Sequence, residues 1–157
     1  MKKSDEFTYF WGKEGVFSNF YPKSFMFHGA RVYTSEQAFM MLKAKEFGDM
    51  KTYKQLLSAK HPAHAKSLGR KVSNYDDKRW SDVRYERMVE VLTYKFRDVD
   101  LKEALLSTGE STLVEASPFD KIWGVGMAAH DPNISNPQMW KGQNLLGKAL
   151  MEVRSKL

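Results

Sequence analysis

The stretch Thr34-Ser35-Glu36-Gln37-Ala38-Phe39-Met40-Met41-Leu42-Lys43-Ala44-Lys45-Glu46-Phe47 decides the architecture of this 157-residue chain. It opens as a capping box, in which the Thr34 hydroxyl accepts from the Gln37 amide while the Gln37 side chain reaches back to the Thr34 amide. A helix is predicted from there to about Phe47. Phe39-Met40-Met41-Leu42 sweeps apolar groups through four successive steps of about 100°, so the helix is apolar on nearly every side. Such a helix is central, and the rest of the chain is expected to pack around it.

Upstream, residues 7–11 and 24–33 are aromatic and β-branched enough for short strands. His28-Gly29 forms the turn of a hairpin, giving a small N-terminal sheet. Downstream, residues 50–59 carry Tyr53, Leu56 and Leu57 at helical spacing. A second short helix starts at Pro62 and ends at Gly69. Tyr85, Met88, Leu92 and Phe96 recur every three or four residues and predict a longer amphipathic helix over 81–97. Asp100 is expected to cap a helix bearing Leu101, Ala104 and Leu105, which Gly109 ends. Residues 112–115 and 122–127 read as strands, 131–137 as a long turn-rich loop, and a last helix begins near Gln143. No regular βαβ rhythm is present, so the expected class is α+β, a predominantly helical single domain with a few short strands. It spans 1–157, with residues 1–6 expected to be flexible.

Composition narrows the function. Apolar residues make up 42% and charged residues 28%, which is globular usage. No run of 18 apolar residues occurs, and the start lacks the apolar stretch of a secretory signal, so a cytoplasmic protein with no membrane partner is expected. The absence of cysteine rules out disulfides, a thiolate nucleophile and cysteine-ligated zinc. The formal charge of +6, from 25 basic and 19 acidic residues, favours an anionic partner, phosphate being the simplest. Many of the basic residues fall between Lys60 and Arg97. They form either a solvated helical face or a phosphate or nucleic-acid surface. His61 and His64 lack the further ligands of a metal site, and no P-loop, serine-hydrolase or zincin motif occurs, so neither metal nor cofactor is expected.

Glu36 and Lys43, seven residues apart, project from one stripe of the apolar helix. Burying either charge alone is costly, so they pair with each other, contact other polar groups or line a water-filled cleft. The cleft reading has a chemical consequence: a partly desolvated lysine loses proton affinity, and only the neutral amine attacks a carbonyl or imine. Trp80, Trp123 and Trp140 sit beside polar or glycine-rich segments, Trp11 near the end of a strand. Each is either core or a flat face for a heteroaromatic ring.

In order and spacing, several segments together resemble one family. They are Phe17-Ser18-Asn19-Phe20, Ser35-Glu36-Gln37 with Lys43, Pro62 through Gly69-Arg70, Trp80 ahead of the long helix, Leu113-Val114-Glu115, Asp120 with Trp123-Gly124-Val125-Gly126, and Trp140 through Arg154. The family is the YbiA-like proteins, also called NADAR domains for a proposed link to NAD and ADP-ribose. The resemblance implies hydrolysis of an N-glycosidic bond between ribose and an exocyclic amino group. Two substrates are associated with it: a phosphorylated ribosylamine small molecule, the phosphoribosylamino-pyrimidine of early riboflavin synthesis, and ADP-ribosylated guanine in nucleic acid. A non-catalytic ADP-ribose or NAD-binding module is the third reading, and the retention of an amine with two carboxylates argues against it.

By the same resemblance, Lys43 forms a Schiff base with the opened sugar, and Glu36 and Asp120 carry protons, their division of labour unassigned. Trp80 and Trp123 contact base or ribose, Asn19 and Asn144 orient the substrate, and Arg70 meets phosphate. One position departs from the pattern: Gln37 stands where the family often has histidine, and it cannot titrate near neutrality. The sequence leaves the oligomeric state open.

Overall fold

The computed structural model describes residues 2–3 and 6–157, with side chains from Glu6 onward. Of the residues 1–6 expected to be flexible, Met1, Ser4 and Asp5 lie outside the described residues. Two compact units are present, one formed by residues 1–18 with 99–157 and the other by residues 19–98.

The second unit contains the helix that the sequence placed at the centre. Strands β3 (Phe25–Phe27) and β4 (Ala30–Val32) pair antiparallel around the His28-Gly29 turn, both turn residues at positive φ. Helix α1 (Ser35–Glu46) follows, then α2 (Met50–Leu57), α3 (Pro62–Gly69) and α4 (Asp77–Lys95). Helix α1 packs against all three other helices and buries Ser35 through Leu42 together with Ala44. An element with apolar groups on every side has no face to offer water, so its neighbours must surround it. Thr34 accepts from the Gln37 amide at 3.1 Å, as the capping box requires. The reciprocal bond lands one residue earlier than expected: Gln37 Oε1 accepts from the Tyr33 amide at 2.7 Å.

Helix α4 begins before the predicted 81, because extended Asp76 caps it by accepting from the Arg79 amide at 3.2 Å. Trp80 thus lies inside the long helix rather than ahead of it.

The first unit is built on a three-stranded sheet. Strand β2 (Phe7–Phe10) lies between antiparallel β1 (Lys2–Lys3) and parallel β5 (Thr112–Glu115), so the described residues form two separate sheets in place of one. Phe7, Tyr9, Val114, Ala116, Val125, Met127 and Ile134 form its core. Helix α5 (Val99–Leu106) carries Asp100 in its first turn, one residue inside the helix it was expected to cap. Helix α6 (Leu145–Ser155) packs on β5. Residues 122–127 are not a strand. Gly126 takes φ +68°, and the segment is held by isolated backbone bonds, from Val125 N to Glu115 O, from Lys141 N to Val125 O and from Asn144 N to Gly124 O among them. Among the described residues no helix is long and apolar enough to cross a membrane.

Candidate functional site

Asn19, Glu36, Lys43, Arg70 and Trp80 belong to residues 19–98, whereas Asp120, Trp123 and Asn144 belong to the other unit. In the first group the geometry starts at Asn19, which is buried. Its side chain accepts from Ser35 Oγ at 2.9 Å and donates to Met88 Sδ at 3.7 Å, and its carbonyl accepts from the Glu36 amide at 3.0 Å. Asn19 therefore anchors the turn that carries Glu36. Glu36 is 8% exposed and occupies the first turn of α1, where the helix dipole favours a carboxylate.

Two turns on, Lys43 is half-buried. Burial is the main force holding its amine below the ordinary lysine value. The Glu36 charge acts against that shift and the Arg70 charge adds to it. Arg70 reaches this field because Gly69 packs flush on α1, where a Cβ would run into Met40 Sδ. Arg70 is itself exposed. Sequence reasoning missed Tyr75, whose ring centroid lies 4.7 Å from Lys43 Nζ. No helical or strand period links position 43 to position 75.

Trp80 is 5% exposed, and its ring packs 5.2 Å from Phe39 and 6.3 Å from Phe47, which is core packing between α1 and α4. Gln37 is fully buried. While its Oε1 holds the Tyr33 amide, its Nε2 donates to Leu56 O at 2.8 Å and Leu57 O at 3.3 Å. The residue at the family's histidine position thus joins the start of α1 to the end of α2.

In the other unit, Asp120 Oδ1 accepts from the amides of Ile122 and Trp123 at 2.9 and 2.8 Å. This fixes the turn leading to half-buried Trp123. Asn144 is buried and left-handed, φ 55°. Its side chain accepts from Glu115 N at 3.0 Å and donates to Leu113 O at 2.9 Å, clamping β5. Leu145 N and Leu146 N, at the start of α6, donate to Ile122 O and Trp123 O. Asp120, Trp123 and Asn144 are thus brought together by two loops zipped at the end of β5. Trp140 packs on Phe7 and donates to Ile134 O at 2.8 Å, a core role. Trp11 is exposed beside Phe119, their ring centroids 5.9 Å apart.

His61 spends its ring nitrogen on capping α3, accepting from Ala63 N. Among the described residues no group of three or more histidines and carboxylates is arranged to hold a metal ion.

A predominantly helical α+β domain with a half-buried lysine and a carboxylate on its central helix is the class that fold and site define. The NADAR domain model matches residues 9–157, and the chain belongs to the NADAR family. N-glycosidase R617 of Acanthamoeba polyphaga mimivirus is 35% identical, covering 97% of this chain and 96% of the relative. N-glycosidase YbiA of Escherichia coli is 33% identical, covering 91% and 81%. A riboflavin biosynthesis protein of Vibrio vulnificus is 33% identical over 91% of this chain but only 35% of its own length. The NMR structure of Escherichia coli YbiA superposes with a TM-score of 0.78 at 30% identity, covering 99% of this chain and 86% of that one, so the fold is shared.

Proposed function

We propose that this chain, an N-glycosyl hydrolase, splits phosphoribosylamino-pyrimidines of the riboflavin pathway into ribose 5-phosphate and an aminopyrimidine, through a Schiff base on Lys43. Relatives at 32–35% identity are named N-glycosidases, and one relative is named a riboflavin biosynthesis protein. The single observation that carries the mechanism is Lys43, half-buried on α1 with its amine depressed by burial. A neutral amine is what attack on an imine carbon needs.

A ribosylamine opens to an imine at the anomeric carbon. Lys43 Nζ adds to that carbon, the bond to the departing amine breaks with a proton delivered to its nitrogen, and a sugar–lysine imine remains. Water then adds to the same carbon, and collapse releases the sugar aldehyde and the free amine of Lys43. Glu36 is assigned the proton transfers, and Arg70 the substrate phosphate.

Removal of ADP-ribose from guanine in nucleic acid is the second reading, and one observation favours it. Residues 50–75 carry Lys51, Lys54, Lys60, Lys66, Arg70 and Lys71 and no carboxylate, and all six are exposed. The net charge of the whole chain, +6, equals the charge of this segment, and the remainder is neutral. A polyphosphate substrate suits such a surface.

Borohydride added during turnover should leave the sugar mass on the peptide containing Lys43. Mapping matters because Lys95, pushed down to about 7 by burial, is also rich in neutral amine, although it is 1% exposed. No adduct under turnover would favour direct displacement by a carboxylate-activated water. Rates on the aminopyrimidine substrate and on ADP-ribosylated guanine DNA rank the two substrates. Tight ADP-ribose binding with neither cleaved would favour a binding module.

A further inference from the structure

We infer that Tyr75 is a positioning residue for Lys43, holding the side chain over its ring face. The inference rests on the Schiff-base reading of Lys43 and deepens it. Lys43 Nζ lies 4.7 Å from the Tyr75 ring centroid, within cation–π range. The ring is itself fixed at two points. Its hydroxyl donates to Asp77 Oδ1 at 2.8 Å, and its ring centroid lies 5.4 Å from that of Phe47, the residue that ends α1. Burial and Asp77 raise the phenol above its ordinary value, so it stays protonated as a donor.

Asp77 opens α4 and Lys43 sits in the last turn of α1, so Tyr75 ties the nucleophile to a second helix. A four-carbon side chain has many rotamers, and a nucleophile that must meet one carbon gains rate by losing them before substrate arrives. The ring face also favours the ammonium, opposing the desolvation that favours the neutral amine. Tyr75 is 44% exposed, which leaves room for substrate to reach the amine without unfolding the contact.

The test compares Tyr75→Phe, which keeps the ring, with Tyr75→Leu, which keeps apolar cover but removes the quadrupole. Labelling of Lys43 by a limiting amine reagent, read on its peptide by mass spectrometry, reports the neutral fraction without any turnover. Tyr75→Leu should label about two- to fivefold faster near pH 7, and the ascending limb of its pH–rate profile should move to lower pH. At a pH above that limb, where protonation no longer matters, its kcat should fall about tenfold or more. Tyr75→Phe should resemble the wild type in labelling and in the position of the limb, and its kcat should fall less than that of Tyr75→Leu, because the ring face remains while the bond to Asp77 is lost. Equal labelling of Tyr75→Leu and wild type, or a kcat that does not fall, overturns the inference. A wild type that forms no borohydride adduct sinks the Schiff-base reading instead, and the labelling comparison still decides the Tyr75 contact.

Discussion

Lys43 has its proton affinity set by three neighbours with separable signs. Burial lowers it, Glu36 raises it and Arg70 lowers it. On the Schiff-base reading attack needs the neutral amine, so kcat/KM should rise with pH until Lys43 has lost its proton. Glu36→Gln removes the charge that stabilises the ammonium, so the ascending limb should move to lower pH. Arg70→Gln removes a repulsion and should move it to higher pH. Shifts of the same sign in both variants would show that Lys43 is not the group titrating in that limb. The sequence placed Glu36 and Lys43 on one face by helix geometry alone, and the capping box at Thr34 fixed the phase. Arg70 and Tyr75 enter the same field only through tertiary packing, Arg70 because Gly69 lies against Met40 and Tyr75 because α4 returns to α1.

At the scale of elements, side chains that satisfy backbone groups hold the start of α1 and the start of α2. Gln37 ties the start of α1 to the end of α2, and Asp49 ties the start of α2 to the loop ahead of α4. Asp49 accepts from Ser73 N at 2.9 Å, Thr52 Oγ1 at 2.6 Å and Thr52 N at 3.0 Å. These bonds, the one from Ser73 foremost, hold its carboxyl down at about 2. A folded-state value below the unfolded one of about 3.9 contributes stability that is complete above the unfolded value and lost as pH falls through the folded one. The melting temperature of Asp49→Asn should therefore lie below that of the wild type at pH 6. The gap should close between about pH 4 and pH 2. A gap independent of pH would mean that these bonds do not depend on the charge. None of this was legible beforehand: an Asp at a helix start reads as a local cap, and its bond to Ser73 spans 24 residues.

For the whole molecule, charge is confined rather than spread, with the net +6 on residues 50–75. The sequence reading placed the basic cluster between Lys60 and Arg97, but from Asp76 onward three of its cations meet carboxylates. Arg79 and Arg87 both bind Glu46, and Lys78 binds Asp82. On the guanine reading, single-stranded DNA should lose affinity with salt, and the triple variant Lys60→Gln, Lys66→Gln, Lys71→Gln should reduce the slope of log K against log salt by about 2. The triple variant Lys102→Gln, Lys121→Gln, Lys148→Gln changes the net charge equally and should leave the slope unaltered. Equal slopes for the two triples would mean that total charge, not its location, governs binding.

The sequence by itself determined the α+β class, the central helix and its cap, the hairpin at His28-Gly29 and the family, because these rest on local hydrogen bonding, periodicity and the order of short motifs. It misjudged residues 122–127, where Gly126 takes a left-handed turn and two loops close on each other. The bonds by which Asn19 anchors α1, Asn144 clamps β5 and Asp120 fixes a turn were not legible in the sequence, where these residues were singled out by resemblance alone. Only tertiary structure decided which charges act on Lys43 and which ring it rests on. Those depend on distances between residues far apart in the chain, and no spacing rule along a single helix carries them.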